Sequence, residues 1–261
     1  MNTISIIGCG WLGFDLAKEL LKNSNYRVKG STTSSNKLSV LKDNGILPFL
    51  IDTTKRISLD EILICDILII TIPPKENESY LKFLHTLSKH KHISNIKQIL
   101  FISSTSIYPS IKKEFKEDEI INRNNTSKKV VYDAEQIILS INNSVILRCA
   151  GLMGYNRIAG KYFANKTITC QNERVNYIHK DDVINIIKSV IQKNIHNEIY
   201  NLCSPIHPKK AEVYLLNAKK YNFLAPIFKD NLPTKNRIIN TDKVIEELGY
   251  VYKYNNPLNY D

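Results

Sequence analysis

Short apolar runs alternate with longer amphipathic stretches along the first 150 residues. The runs at 3–7, 26–30, 47–51, 67–72, 98–103 and 144–148 are rich in Ile, Leu and Val and have strand length. Between them, 12–23, 35–44, 78–91 and 126–141 carry apolar residues at helical spacing. Strands of buried character alternating with helices predict an α/β fold built on a Rossmann-type doubly wound parallel sheet. Right-handed crossovers would place helices on both faces. Further on, the pattern predicts a strand-like segment at 175–178, a helix near 181–193 and a strand at 198–202. Helices near 208–221 and 241–248 follow. No repeat, low-complexity linker or Gly/Ser-rich hinge interrupts the chain. It reads as one integrated unit, with 1–150 as the core and 151–261 completing the sheet and forming a small substrate lobe.

The first strand runs into Gly8-Cys9-Gly10-Trp11-Leu12-Gly13, and a helix-like stretch follows from Phe14 to Lys22. Strand, glycine turn and helix in that order form the context in which G-x-G-x-x-G signals dinucleotide binding. Gly8 allows the tight turn, Gly10 lets the backbone approach a pyrophosphate, and Gly13 lets helix and strand pack closely. The anion would sit on the free N–H groups of Trp11, Leu12 and Gly13 at the helix N-terminus. The N-terminal 150 residues are therefore expected to be an NAD(P)-binding core.

Composition narrows the class. The net charge of +11 raises nucleic acid as a partner, but the lysines are scattered, with no run of five or six and no interleaved aromatics. A basic solvated surface is the reading taken, with a small-molecule substrate and no nucleic acid. The five cysteines, Cys9, Cys65, Cys149, Cys170 and Cys203, lie far apart without zinc spacing. Free thiols in a reducing compartment account for them, which implies a cytoplasmic protein. The first apolar stretch is short and leads straight into the glycine turn, so no signal peptide is expected. The apolar stretch at 62–74 is broken by Asp66 and is too short to span a bilayer. His85, His90 and His92 sit by a Lys-rich helix end and are expected to be solvated. No metal site is expected. A homodimer remains open, since many α/β enzymes pair in this way.

The end of the second strand bears on the cofactor. NAD-binding Rossmann proteins carry an acid there for the adenosine ribose. Here Ser31-Thr32-Thr33-Ser34-Ser35 stand instead, followed by Asn36 and Lys37. Ser31, Thr32, Thr33 and Lys37 could hold a 2′-phosphate that a carboxylate would repel, so NADP is favoured over NAD. Asp52 and Thr53 after the third strand could accept from the adenine amino group, although a turn or cap role suits Asp52 equally. Thr71 and Pro73 end the fourth strand and are expected to lie along the pyrophosphate and ribose.

The fifth strand ends Ser103-Ser104-Thr105-Ser106-Ile107-Tyr108. This segment resembles the catalytic serine segment of the extended short-chain dehydrogenases/reductases. Ile146 to Arg157 resembles that family's "LR…G…GP.R" segment, and Val175 to Val183 its "fIHvdDva" segment. Ile199 to Leu202, Asn236 to Asn240 and Glu247 to Tyr250 resemble its later landmarks. The glycine spacing followed by Trp-Leu-Gly resembles the atypical, YeeZ-like branch of the NAD(P)-dependent epimerase/dehydratase group. The resemblance implies an oxidoreductase or epimerase acting on a small carbonyl or a nucleotide sugar. It implies Ser104 as the residue that binds the reacting oxygen, with Arg157 and Asn176 on the substrate side.

One departure stands out. The family's acid/base is Tyr-x-x-x-Lys, in which the ammonium lowers the tyrosine pKa. Aligning Glu135 with the family's glutamate places Ser127 at the tyrosine position and Val131 at the lysine position. Tyr132 has Gln136 four residues on, which cannot tune a phenol. Tyr108 is the other candidate proton donor, although the tyrosine of that motif is commonly structural. His179 is expected to cap a helix. Two further readings stay open: a non-catalytic NADP-binding sensor or scaffold, and a β-hydroxyacid-type dehydrogenase, which would need a long all-helical C-terminal domain.

Overall fold

The computed structural model describes residues 1–52, 54, 58–74, 78–229 and 236–260. Seven parallel strands form the centre: β1 (Asn2–Ile7), β2 (Tyr26–Thr32), β3 (Leu47–Leu50), β4 (Ile67–Ile70), β5 (Gln98–Ser104), β6 (Ser144–Cys149) and β7 (Glu198–Leu202). Their spatial order is β7-β6-β5-β4-β1-β2-β3. β2 and β3 extend the sheet to one side of β1 and β4 to β7 to the other. The winding therefore reverses between β1 and β4, the place where such sheets open a ligand crevice.

Two-residue periodicity sorts the side chains to the two faces. Ile67 and Ile69 of β4, Leu100 and Ile102 of β5, and Val145 and Leu147 of β6 enter one core. That core is covered by α1 (Gly13–Leu21), α2 (Asn36–Asp43), α6 (Lys180–Gln192) and α8 (Asp242–Leu248). Leu68 and Ile70, Ile99 and Phe101, and Ile146 enter the other. It is covered by α3 (Asp60–Leu63), α4 (Glu78–Ser88) and α5 (Lys129–Leu139). The remaining helix, α7 (Lys210–Lys220), packs on the segment 159–163. No described helix is long and apolar enough to cross a membrane.

The predicted α5 is three residues too long at its start. Thr126 donates its hydroxyl to the Ile107 carbonyl at 2.7 Å, and Asn122 and Asn125 close a turn just before it. These bonds hold 122–128 outside the helix, so Ser127 is an exposed loop residue. The short parallel ladders of the C-terminal half, such as 151–153 with 177–179 and 114–115 with 238–239, also lie outside the sequence pattern. With β7 in the main sheet and these ladders present, the chain has no all-helical C-terminal domain. The β-hydroxyacid-type reading is thereby excluded.

Asp182 fastens the chain's last segment. Its carboxylate accepts from the Tyr250 hydroxyl at 2.7 Å and from the Lys253 and Tyr254 N–H groups at 2.8 and 3.0 Å. His179 caps α6 by accepting from the Asp181 N–H at 3.2 Å. His90 and His92 are partly exposed. Each ring lies 3.7 Å from the Asp60 carboxylate, which Lys91 occupies at 2.7 Å. The described residues hold no cluster with metal-ligand geometry.

Candidate active site

The glycine turn lies at the carboxyl end of β1, against the end of β4. Gly8 has φ +106°, a region where side chains are strained, and a Cβ there would stand 2.9 Å from Ile72. A Cβ on Gly13 would stand 2.4 Å from the Gly8 carbonyl oxygen, so helix and turn meet as backbone on backbone. Gly10 differs: chain neighbours aside, no atom of the described residues comes nearer than 4.0 Å to its Cβ position. Two of the glycines are thus required by the protein's own packing. The third leaves space on the open side.

Neighbouring strands fix the turn. The Gly8 N–H donates to Ser31 Oγ at 2.9 Å, the Cys9 N–H to the Ser31 carbonyl at 2.7 Å, and Thr71 Oγ1 to the Gly8 carbonyl at 2.6 Å. Ser31 and Thr71 therefore shape the turn as well as face the cleft. Burial pushes the Cys9 thiol up to about 12, although the Ser31 backbone opposes this, so Cys9 packs as a small apolar group. The Phe14 N–H in the first turn of α1 donates to the Gly10 carbonyl at 3.0 Å, and the Gly10 N–H to the Gly8 carbonyl at 2.7 Å.

A cleft of about 560 Å³ opens over this turn. Its walls include Gly8, Gly10, Trp11, Leu12 and Gly13 from the turn, Ser31, Thr32 and Thr33 from the end of β2, and Lys37 from the first turn of α2. Thr71 and Pro73 line it from β4, Ser103 and Ser104 from β5, and Arg157 from the C-terminal half. Asp52 follows the cleft-lining Ile51, but its carboxylate accepts from the Thr54 N–H and hydroxyl at 3.0 and 2.7 Å and closes a local turn. Thr53 lies outside the described residues.

Ser104 ends β5 and lines both this cleft and a second pocket of about 350 Å³ beyond it, toward Asn176 and Arg237. Its Oγ accepts from the Ser106 N–H at 3.1 Å. A hydroxyl has one donor and two acceptor positions, so this bond leaves the Ser104 proton for another oxygen. Asn176 reaches the second pocket, but its amide is spent on structure. Nδ2 donates to the Arg237 carbonyl at 2.8 Å and Oδ1 accepts from the Ile239 N–H at 3.0 Å.

Tyr108 is not in the cleft and cannot meet a substrate there. It is fully buried, and its hydroxyl donates to Asn201 Oδ1 at 2.8 Å and accepts from Arg148 at 2.9 Å. Burial holds the Tyr108 hydroxyl above its ordinary pKa, although Arg148 and Asn201 oppose this. Arg148 in turn grips Glu135 with bonds of 2.9 to 3.2 Å, and Ser103 donates to the same carboxylate. Ser103, Arg148 and Asn201 stand in register on β5, β6 and β7. They form one polar row through an apolar sheet. Ser103, Arg148 and Asn201, polar residues near the ends of three neighbouring apolar strands, were the sequence signal for this network.

The family's acid/base positions do not face the cleft. Ser127 is an exposed loop residue, and Val131 is 3% exposed within the hydrophobic core. Neither lines the cleft.

No protein-family model matches the sequence. Protein YeeZ of Escherichia coli K12 is 32% identical over 270 residues, covering 99% of this chain and 98% of YeeZ. A functionally unknown conserved protein from Silicibacter pomeroyi superposes with a TM-score of 0.80 at 18% identity, over 99% of this chain and 96% of that one. The UDP-glucuronic acid 4-epimerase of Bacillus cereus, solved with UDP-glucuronic acid and NAD, gives 0.78 at 18% identity over the same shares. These two structures share the fold. The full-length match to YeeZ shows that this chain belongs to the YeeZ family.

Proposed function

We propose that the chain binds a nicotinamide dinucleotide, NADP in preference to NAD, and acts as an oxidoreductase or epimerase on a small carbonyl or a nucleotide-linked sugar. The observation that carries the reading is the glycine turn. Gly8 and Gly13 are forced by packing, and Gly10 is bare on the side where the cleft opens. A pyrophosphate fits there on the first N–H groups of α1. No carboxylate stands among the described cleft-lining residues at the end of β2 and the start of α2, whereas Thr32, Thr33 and Lys37 do, which suits a 2′-phosphate.

Residues 1–150 would then supply the dinucleotide site, and 151–261 the wall of the substrate pocket. Ser104 lies between the two pockets and would donate its free proton to the substrate oxygen. A solved fold-mate holds a UDP-sugar acid together with NAD, which supports a nucleotide sugar as the larger substrate class. The five cysteines are free, which suits a reducing, cytoplasmic setting.

The test is turnover of a panel of sugar nucleotides and simple carbonyls with NADP(H) and NAD(H), followed by nicotinamide absorbance and by product chromatography. The expected result is turnover by the unmodified chain and a fall of roughly 100-fold in Ser104→Ala, the usual cost of removing one oxygen-directed donor. No turnover of either substrate class with either cofactor would overturn the proposal.

A further inference from the structure

We propose that Arg157, together with Trp11, forms a clamp from the C-terminal half onto the diphosphate of the bound dinucleotide. This inference rests on the dinucleotide reading above and assigns Arg157 to the cofactor, not to the substrate. Arg157 lines the cleft over the glycine turn but is absent from the wall of the pocket beyond Ser104. Its guanidinium lies 4.3 Å from the centre of the Trp11 ring, and Trp11 belongs to the glycine turn that lines the cleft.

Arg157 is held firmly. It closes a tight hairpin in which Gly154 and Arg157 exchange backbone hydrogen bonds, each at 3.0 Å. Trp11 Nε1 donates to Asn156 Oδ1 at 2.7 Å, and the Tyr155 hydroxyl donates to Asp181 at 2.7 Å. The hairpin is therefore fastened to the glycine turn on one side and to α6 on the other. The hairpin backbone is thereby fixed, and stacking on the Trp11 ring lowers the ordering cost of the Arg157 side chain on binding an anion.

The charges distinguish Arg157 from its neighbour. Lys180 also lies over Trp11, with its ammonium 4.5 Å from the ring centre, and it pairs with Asp15. Among the described residues, Arg157 has the Trp11 ring and no carboxylate partner. A planar guanidinium that shares a cleft with the glycine turn suits two adjacent phosphate oxygens. The 2′-phosphate falls to a different segment, at Thr32, Thr33 and Lys37.

The test is calorimetric titration of the full chain and of Arg157→Gln and Arg157→Lys with two probes. 2′-Phospho-ADP-ribose carries the diphosphate, and adenosine 2′-monophosphate lacks it. The expected result is a loss of roughly 10- to 100-fold for 2′-phospho-ADP-ribose in Arg157→Gln, the worth of one charged hydrogen-bonding group. The monophosphate should be unaffected, and Arg157→Lys should fall between. Unchanged binding of 2′-phospho-ADP-ribose by Arg157→Gln would overturn the clamp, and so would equal losses for the two probes. Failure of the unmodified chain to bind either probe would instead overturn the dinucleotide reading, and the clamp with it.

Discussion

The two ends of the cleft are built on different principles. At the glycine end, backbone meets backbone, and the constraint is the absence of a side chain at Gly8 and Gly13. At the Ser104 end, the strand terminus rests on a buried row of polar side chains, in which Ser103, Glu135, Arg148, Tyr108 and Asn201 satisfy one another. The first arrangement is local in sequence. The second gathers residues from five segments and depends on every member being paired.

Four single substitutions and one double would break or sharpen that contrast. The largest effect is expected from Arg148→Met, which leaves the Glu135 carboxylate buried without its cation. A loss of about 3–5 kcal/mol in urea unfolding follows for such a broken pair. Adding Glu135→Gln should recover much of it, because the uncompensated charge is gone. A loss below about 1 kcal/mol would show that the row is not what supports this end.

At the glycine end, Gly13→Ala should cost roughly 1–3 kcal/mol, because its Cβ falls on the Gly8 carbonyl. Gly10→Ala should leave stability within about 0.5 kcal/mol while weakening dinucleotide binding at least about tenfold. Equal stability losses in the two variants would remove the distinction between packing glycine and ligand-facing glycine.

The smallest effect lies between the two ends, where α1 meets α6. Burial pushes the Asp15 carboxyl up, but bonds from Lys180 and Lys18 outweigh it and hold the group below the ordinary carboxylate value. A lowered acid contributes stability above its unfolded pKa and loses it as pH falls through the folded one. Asp15→Asn should therefore cost on the order of 1 kcal/mol at neutral pH, since Asp15 is one third exposed and screened. The gap to the unmodified chain should close below about pH 4. A gap that persists under acid would mean the ion pair is not its source.

The contrast also explains what the sequence revealed. The main strands and helices were legible because each carries its own apolar period. The glycine turn was legible because its constraint lies within six consecutive residues. The start of α5 was not. The apolar spacing extends the helix back to Thr126, but Thr126 spends its hydroxyl on Ile107, and the helix begins at Lys129. Tyr108 could be read as a proton donor because its burial depends on Arg148 and Asn201, 40 and 93 residues away. The short ladders of the C-terminal half have two or three residues per strand, too few to show any period.

The chain has a single tryptophan, and it is Trp11. Its indole lies in the glycine turn, touches the hairpin of Arg157 and faces the cleft. Every photon of indole emission from this protein therefore originates at one known place. Quenching, spectral shift and anisotropy can each be assigned to that place without a label or a mutation. Arrival of a nucleotide, release of the hairpin and unfolding of the first βα unit become separable optical events in the native chain.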